Sequence, residues 1–214
     1  MRLLFLLFFV PCFLLAQSNR TIAIQQIADL KSGALIVRLK TNDKSVEAYR
    51  RNGRNDVADR IIADRKIQNQ KIVDAFRSRF DFCKVYFIYA SSTNQVLEGT
   101  TGLFLNDAME PDTSIVIKES YFLLAEYGTV TANMRGDEYH YKNVDKTEAS
   151  SNTTTSSAIF ISDTSLTQLK EPFPFYQTVL LENYTKAVDR LNSALHRFYF
   201  NRVSNAKPTD KQKK

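Results

Sequence analysis

Apolar residues along this chain recur either every three to four positions or in short unbroken runs, and the alternation of the two patterns lays out its elements. Residues 21–31 carry Ile24, Ile27, Ala28 and Leu30, which predicts a short amphipathic helix. It ends before Gly33, where a left-handed glycine is the expected stop. The compact run Ala34-Leu35-Ile36-Val37-Arg38-Leu39 predicts a core strand. Asp43 or Ser45 can cap a helix that reaches about Asn52 and stops at Gly53. Asn55 or Asp56 then opens a longer helix through Phe80. Its apolar positions Ala58, Ile61, Ile62, Ile72, Val73, Phe76 and Phe80 follow the helical period, with a polar gap over residues 66–70. A strand over residues 84–90 follows almost at once. Strand, helices, strand is the order of a β-α-β crossover, so the two strands should be parallel and share a sheet.

Beyond Ser91-Ser92-Thr93-Asn94 the texture changes. Residues 101–105, 114–118, 121–127 and 158–162 read as further strands, some antiparallel, in a meander. Asn106-Asp107 and Pro111-Asp112 supply turns between them, and Gly99-Thr100-Thr101-Gly102 reads as a hairpin turn. Residues 134–157 are polar and predict a surface loop. The segment Glu171-Pro172-Phe173-Pro174-Phe175 reads as a rigid extended bridge, because neither proline can donate a backbone hydrogen bond. It feeds a helix over residues 176–201, in which Leu180, Tyr184, Ala187, Val188, Leu191, Ala194, Leu195 and Phe198 repeat down one face. The expected architecture is a single α/β domain over residues 17–203. Its mixed β-sheet is covered by the two long helices, and a basic tail follows over residues 204–214.

The amino terminus sets the compartment. The run from Leu3 to Ala16 is 14 residues long, short of the roughly 20 that a membrane-spanning helix needs. With Arg2 before it and Gln17-Ser18-Asn19-Arg20 after it, residues 1–16 read as a signal peptide that is removed. The mature protein is then expected in the periplasm or at the outer-membrane periphery of a Gram-negative bacterium, with no transmembrane span. Cys12 follows Pro11 rather than a small residue, which disfavours lipidation. Cys83 is then the only mature cysteine. It reads as a small buried hydrophobe rather than a reactive thiol.

Charge is segregated. Residues 38–79 hold 12 Lys/Arg against 6 Asp/Glu, whereas residues 80–201 hold 9 against 15. The basic helices can face an acidic partner or an anionic component of the envelope. Arg50, Arg51 and Arg54 are the candidates there, and Phe173, Phe175 and Tyr176 form a second candidate surface, a hydrophobic ridge after the prolines. Nucleic-acid binding has no support beyond charge, since zinc-finger spacing and RNP-like aromatics are both missing.

Most site chemistries lack their residues. Only His140 and His196 occur, and a catalytic zinc wants about three protein ligands, so neither metal nor cofactor is expected. The six glycines fall into no phosphate-cradling fingerprint, and no serine sits in a nucleophile elbow. A carboxylate pair is the remaining catalytic option, drawn from Asp81, Glu119, Glu126, Asp163 and Glu171 on or beside strands. Asp163 also fits a turn or helix cap.

The Leu/Phe-rich leader ending Leu-Leu-Ala-Gln and the motif-free α/β body resemble small uncharacterised exported proteins of the Bacteroidota type. That resemblance implies no activity, and no residue inherits a role from it. The strand–helix–strand opening is also compatible with a three-layer α/β/α, distantly thioredoxin-like arrangement, without the Cys-x-x-Cys that redox chemistry needs. The reading favoured by the sequence is an exported, non-enzymatic envelope protein that binds another protein or an envelope component. The alternatives are a metal-independent hydrolase using paired carboxylates and a binder of small apolar ligands.

Overall fold

The structure is a computed structural model that describes residues 19–133 and 153–204. The expected signal, the expected tail after Ser204 and His140 lie outside the described residues. Helix α1 (Asn19–Ser32) leads into strand β1 (Ala34–Leu39). Helices α2 (Asp43–Arg51) and α3 (Asn55–Arg79) connect it to β2 (Lys84–Tyr89). A 3-10 turn and the short α4 (Thr93–Leu97) precede β3 (Phe122–Asn133), β4 (Thr153–Ser162) and β5 (Tyr176–Thr178). Helix α5 (Tyr184–Phe198) runs on into a π-helical segment, Tyr199–Ser204. The sheet order is β2-β1-β3-β4-β5. Strand β1 is parallel to both β2 and β3, while β3, β4 and β5 form an antiparallel meander. This is the single mixed-sheet α/β domain that the sequence predicts, with the parallel β1–β2 pair in place.

Alternation along the strands divides the core. Leu35, Val37 and Leu39 of β1, Leu123 and Ala125 of β3, and Ile159 and Ile161 of β4 meet all three long helices on one face. Those helices contribute Ile27 and Leu30 from α1, Ile72 and Phe76 from α3, and Val188, Leu191 and Leu195 from α5. On the opposite face Ile36, Ile88 and Leu124 are covered by Val96 of α4 and Phe104, with Leu103, Ile115 and Ile117 packed against them. The second face therefore has one five-residue helix and an irregular segment, not a full helical layer.

Several elements depart from the sequence reading, each for a local reason. Gly33 is not left-handed. A Cβ there would lie 2.3 Å from the Tyr121 carbonyl oxygen, so the glycine is needed for close approach of two backbones. Gly53, with φ 71°, does stop α2: Gly53 N–H bonds Arg50 O and Arg54 N–H bonds Tyr49 O, a Schellman motif. Gly99 ends α4 in the same way, with Gly99 N–H to Val96 O and Thr100 N–H to Gln95 O, so it belongs to a helix end and not to a hairpin.

Residues 101–105 and 114–118 are not strands. The chain turns instead at Asn106, whose side chain accepts from Ala108 N–H and Glu110 N–H, and at Asp112, which accepts from Ser114 N–H, and Leu105–Pro111 is an isolated bridge. Conversely, Thr153–Ser157 is strand rather than loop, paired with Thr129–Asn133. The last helix begins eight residues later than its pattern suggests, because Tyr176–Thr178 joins the sheet against Ala158–Phe160. Leu181 and Glu182 then turn left-handed, with φ 50° and 54°, and Asn183 caps α5 by accepting from Lys186 N–H at 3.0 Å.

Candidate functional site

Arg50, Arg51 and Arg54 stand together where α2 turns into α3, and all three are exposed. Arg50 pairs with Asp59 at 3.6 Å and Arg51 with Glu47 at 3.5 Å, both in open solvent. Arg54 lies 5.6 Å from the centre of the Tyr49 ring. Little in this stretch is buried: Val46 in α2, and Ala58 alone in the first half of α3. The same half of α3 exposes Ile62, and Ile67 follows at 58 % exposure.

The aromatic ridge is not on the surface. Phe173 and Phe175 are 1 % and 2 % exposed and belong to the main core with the α5 residues. The bridge that carries them is a turn, closed by Phe173 N–H to Lys170 O at 3.0 Å, and this directs the rings inward. Tyr176 is half-buried in β5 beside Phe160.

The carboxylates of the hydrolase reading are largely committed. Glu126 is buried between Arg38 (2.5 Å) and Lys40 (2.9 Å), and Arg38 Nε also donates to Thr93 Oγ1. Gly128 leaves the space for Lys40, since a Cβ there would come within 3.1 Å of its Nζ. Glu119 accepts from Lys84 Nζ at 2.6 Å and from the Tyr86 hydroxyl, and these bonds hold its carboxyl down to about 2. Asp81 accepts from the Asn192 amide and meets His196 Nε2 at 2.7 Å, which lowers its pKa. Asp163 accepts from Ser165 N–H and Thr167 N–H, the turn role expected of it. Glu171 is exposed. Cys83 is half-buried, and desolvation pushes its thiol up to about 12, far from a reactive thiolate. Among the described residues no cluster of three His, Cys, Asp or Glu side chains could hold a metal ion, and no helix is long and apolar enough to cross a membrane.

A cleft of about 440 Å3 opens between α3 and the turn that joins β5 to α5. Ile61, Asp64, Arg65, Ile67, Gln68 and Lys71 of α3 form one wall. Glu182 comes from the turn, and Asn42 from the N-cap of α2. Arg65 Nη1 donates to Gln68 Oε1, and Gln68 Nε2 donates to the Tyr184 hydroxyl at 2.7 Å. Tyr184 is buried and its ring meets Tyr127 edge-on at 5.1 Å. Burial pushes the Tyr184 hydroxyl up to about 12, so it stays protonated while it accepts from Gln68. The chain Arg65–Gln68–Tyr184–Tyr127 thus runs from the cleft into the core. Sequence reading missed this site, because Gln68 falls in, and Arg65 just before, what looks like a polar gap in the helix. The interrupted apolar period was the signal available.

Comparison with protein families, with individual curated proteins and with solved structures found no match for this chain.

Proposed function

We infer that this is an exported protein of the periplasm or outer-membrane periphery that acts by binding, without catalysis of its own, and docks on another envelope protein or an anionic envelope component. The observation that carries the reading is the arginine group at the α2–α3 turn. Arg50, Arg51 and Arg54 are exposed together, and their ion pairs are solvent-bathed at both ends. Such pairs contribute about 0–1 kcal/mol, so an acidic partner can replace Asp59 and Glu47 with little loss. The exposed side chain of Ile62, in the first half of the α3 helix that follows the turn, adds apolar area. The hydrolase alternative has less support, because Asp81, Glu119, Glu126 and Asp163 are each engaged by neighbouring groups.

The test is native purification of the tagged protein from its own cell envelope, at low salt and at about 0.5 M, where electrostatic reach falls to a few Å. One stoichiometric partner, shed by salt and lost in the folded R50E/R51E/R54E variant, is the expected result. Unchanged fractionation of that variant, with an unaltered circular dichroism spectrum, removes the basic surface as the docking site.

A further inference from the structure

We propose that the cleft between α3 and the β5–α5 turn binds a small zwitterion with an apolar substituent, the chemistry of an apolar α-amino acid or a short apolar peptide. Its volume of about 440 Å3 falls within the roughly 300–1,000 Å3 of small-molecule sites. It opens beside Asn42, just past the carboxyl end of β1, and α/β sheets commonly place ligands outside the carboxyl ends of their parallel strands.

Charge selects the ligand. Asp64, Arg65, Lys71 and Glu182 line the cleft, two of each sign, so it offers no net attraction to a simple anion or cation. Lys71 and Glu182 neutralise one another at 2.8 Å. Among the described residues, Arg65 bonds only to the neutral amide of Gln68 and Asp64 has no ion-pair partner. A carboxylate and a guanidinium without ion-pair partners among the described residues therefore line the cleft from adjacent residues of one helix. Ile61 and Ile67 supply the adjoining apolar surface. A ligand carboxylate on Arg65, an ammonium on Asp64 and an apolar group against the isoleucines uses all three features at once, whereas a singly charged ligand leaves one of them unmet.

The site is also pre-organised. Gln68 is fixed by the buried Tyr184 hydroxyl and in turn fixes the Arg65 guanidinium. Among the described residues Arg65 Nε is shut off from solvent and meets no acceptor, so the guanidinium is partly desolvated without an ion-pair partner there. An anion on the cleft side of the guanidinium supplies one. Asn42 and Glu182, which both line the cleft, hold left-handed backbone, with φ of 60° and 54°. Non-glycine residues keep that geometry only where their surroundings impose it.

This site is separate from the arginine group, and its test reads a small molecule rather than envelope attachment. The purified protein is titrated calorimetrically with leucine, leucyl-leucine, N-acetyl-leucine and leucinamide. Saturable binding of leucine or of the dipeptide is expected, and whichever binds more tightly identifies the length of the ligand. The acetylated and amidated compounds, each lacking one charge, should bind at least about tenfold more weakly. D64N, R65Q and I67E should each raise Kd by about tenfold or more while thermal unfolding stays cooperative. Asp64 and Ile67 are exposed, so their variants keep the test decisive if R65Q fails to fold. No binding of either ligand up to about 10 mM overturns the proposal. Equal affinity for the capped compounds, or a Kd unmoved by D64N and I67E, overturns it as well.

Discussion

Arg38 and Glu126 stand opposite one another on the adjacent parallel strands β1 and β3, with Nη1 2.5 Å from Oε2, and both side chains are largely withdrawn from solvent. Lys40, just past the end of β1, reaches the second carboxylate oxygen at 2.9 Å. One buried anion thus serves two cations on the face of the sheet away from the long helices.

Removing that anion leaves two cations facing each other. E126L should destabilise the protein by about 3–5 kcal/mol, the usual consequence of breaking a buried pair from one side. The double variant R38M/E126L should recover much of the loss, because the desolvated charge goes with its partner. Urea unfolding of the three proteins at neutral pH measures both effects, and a double variant no more stable than E126L contradicts the argument.

Two glycines near helix ends should respond differently to alanine. At Gly33 a Cβ meets the Tyr121 and Asp29 carbonyl oxygens at 2.3 and 2.9 Å, so backbone must move. At Gly53 nothing lies within 4 Å, and only the left-handed φ opposes the change. G53A should cost about 1–2 kcal/mol and G33A clearly more, read as the larger drop in thermal midpoint.

Acid should weaken the β2 edge first through Glu119. Its folded pKa of about 2 lies below the ordinary value of 4.5, so the unfolded chain binds more protons between those limits. Stability is therefore present in full above about pH 4.5 and is lost as pH falls towards 2. Asp81, lowered by Asn192 and His196, acts in the same direction. K84M, which removes the bond at 2.6 Å, should flatten the acid limb of a stability–pH profile. A limb of unchanged steepness would show that Glu119 contributes little to it.

Leu181 is fully exposed in left-handed backbone, an arrangement in which its own packing gains the fold nothing. L181G should raise stability by up to about 1 kcal/mol by relieving the Cβ clash, partly offset by the freer unfolded chain. A loss of stability in differential scanning calorimetry would mean that the side chain makes contacts beyond those described.

The carboxylates show how far sequence reading reached. Glu126 and Glu119 are visible as strand-associated acids, but their partners are not: Arg38 lies 88 positions from Glu126, and Tyr86 lies 33 from Glu119. Likewise Lys71 and Glu182, 111 positions apart, come together at the cleft, and nothing in either neighbourhood foretells the other.

What the sequence determined by itself is the local geometry. Helices α2 and α3, strands β1 and β2 and the stop at Gly53 follow from periodicity and end signals, because an apolar stripe and a glycine turn are satisfied within a few residues. Tertiary structure decided the rest. Tyr176–Thr178 became a strand because β4 offered an edge, and Thr153–Ser157 because β3 ran on beside it. Phe173 and Phe175 turned inward because the core under α5 had room for two rings. Ladder pairing, ion pairing and burial are each completed by residues distant in the chain, so their outcome is fixed only when the fold brings those residues together.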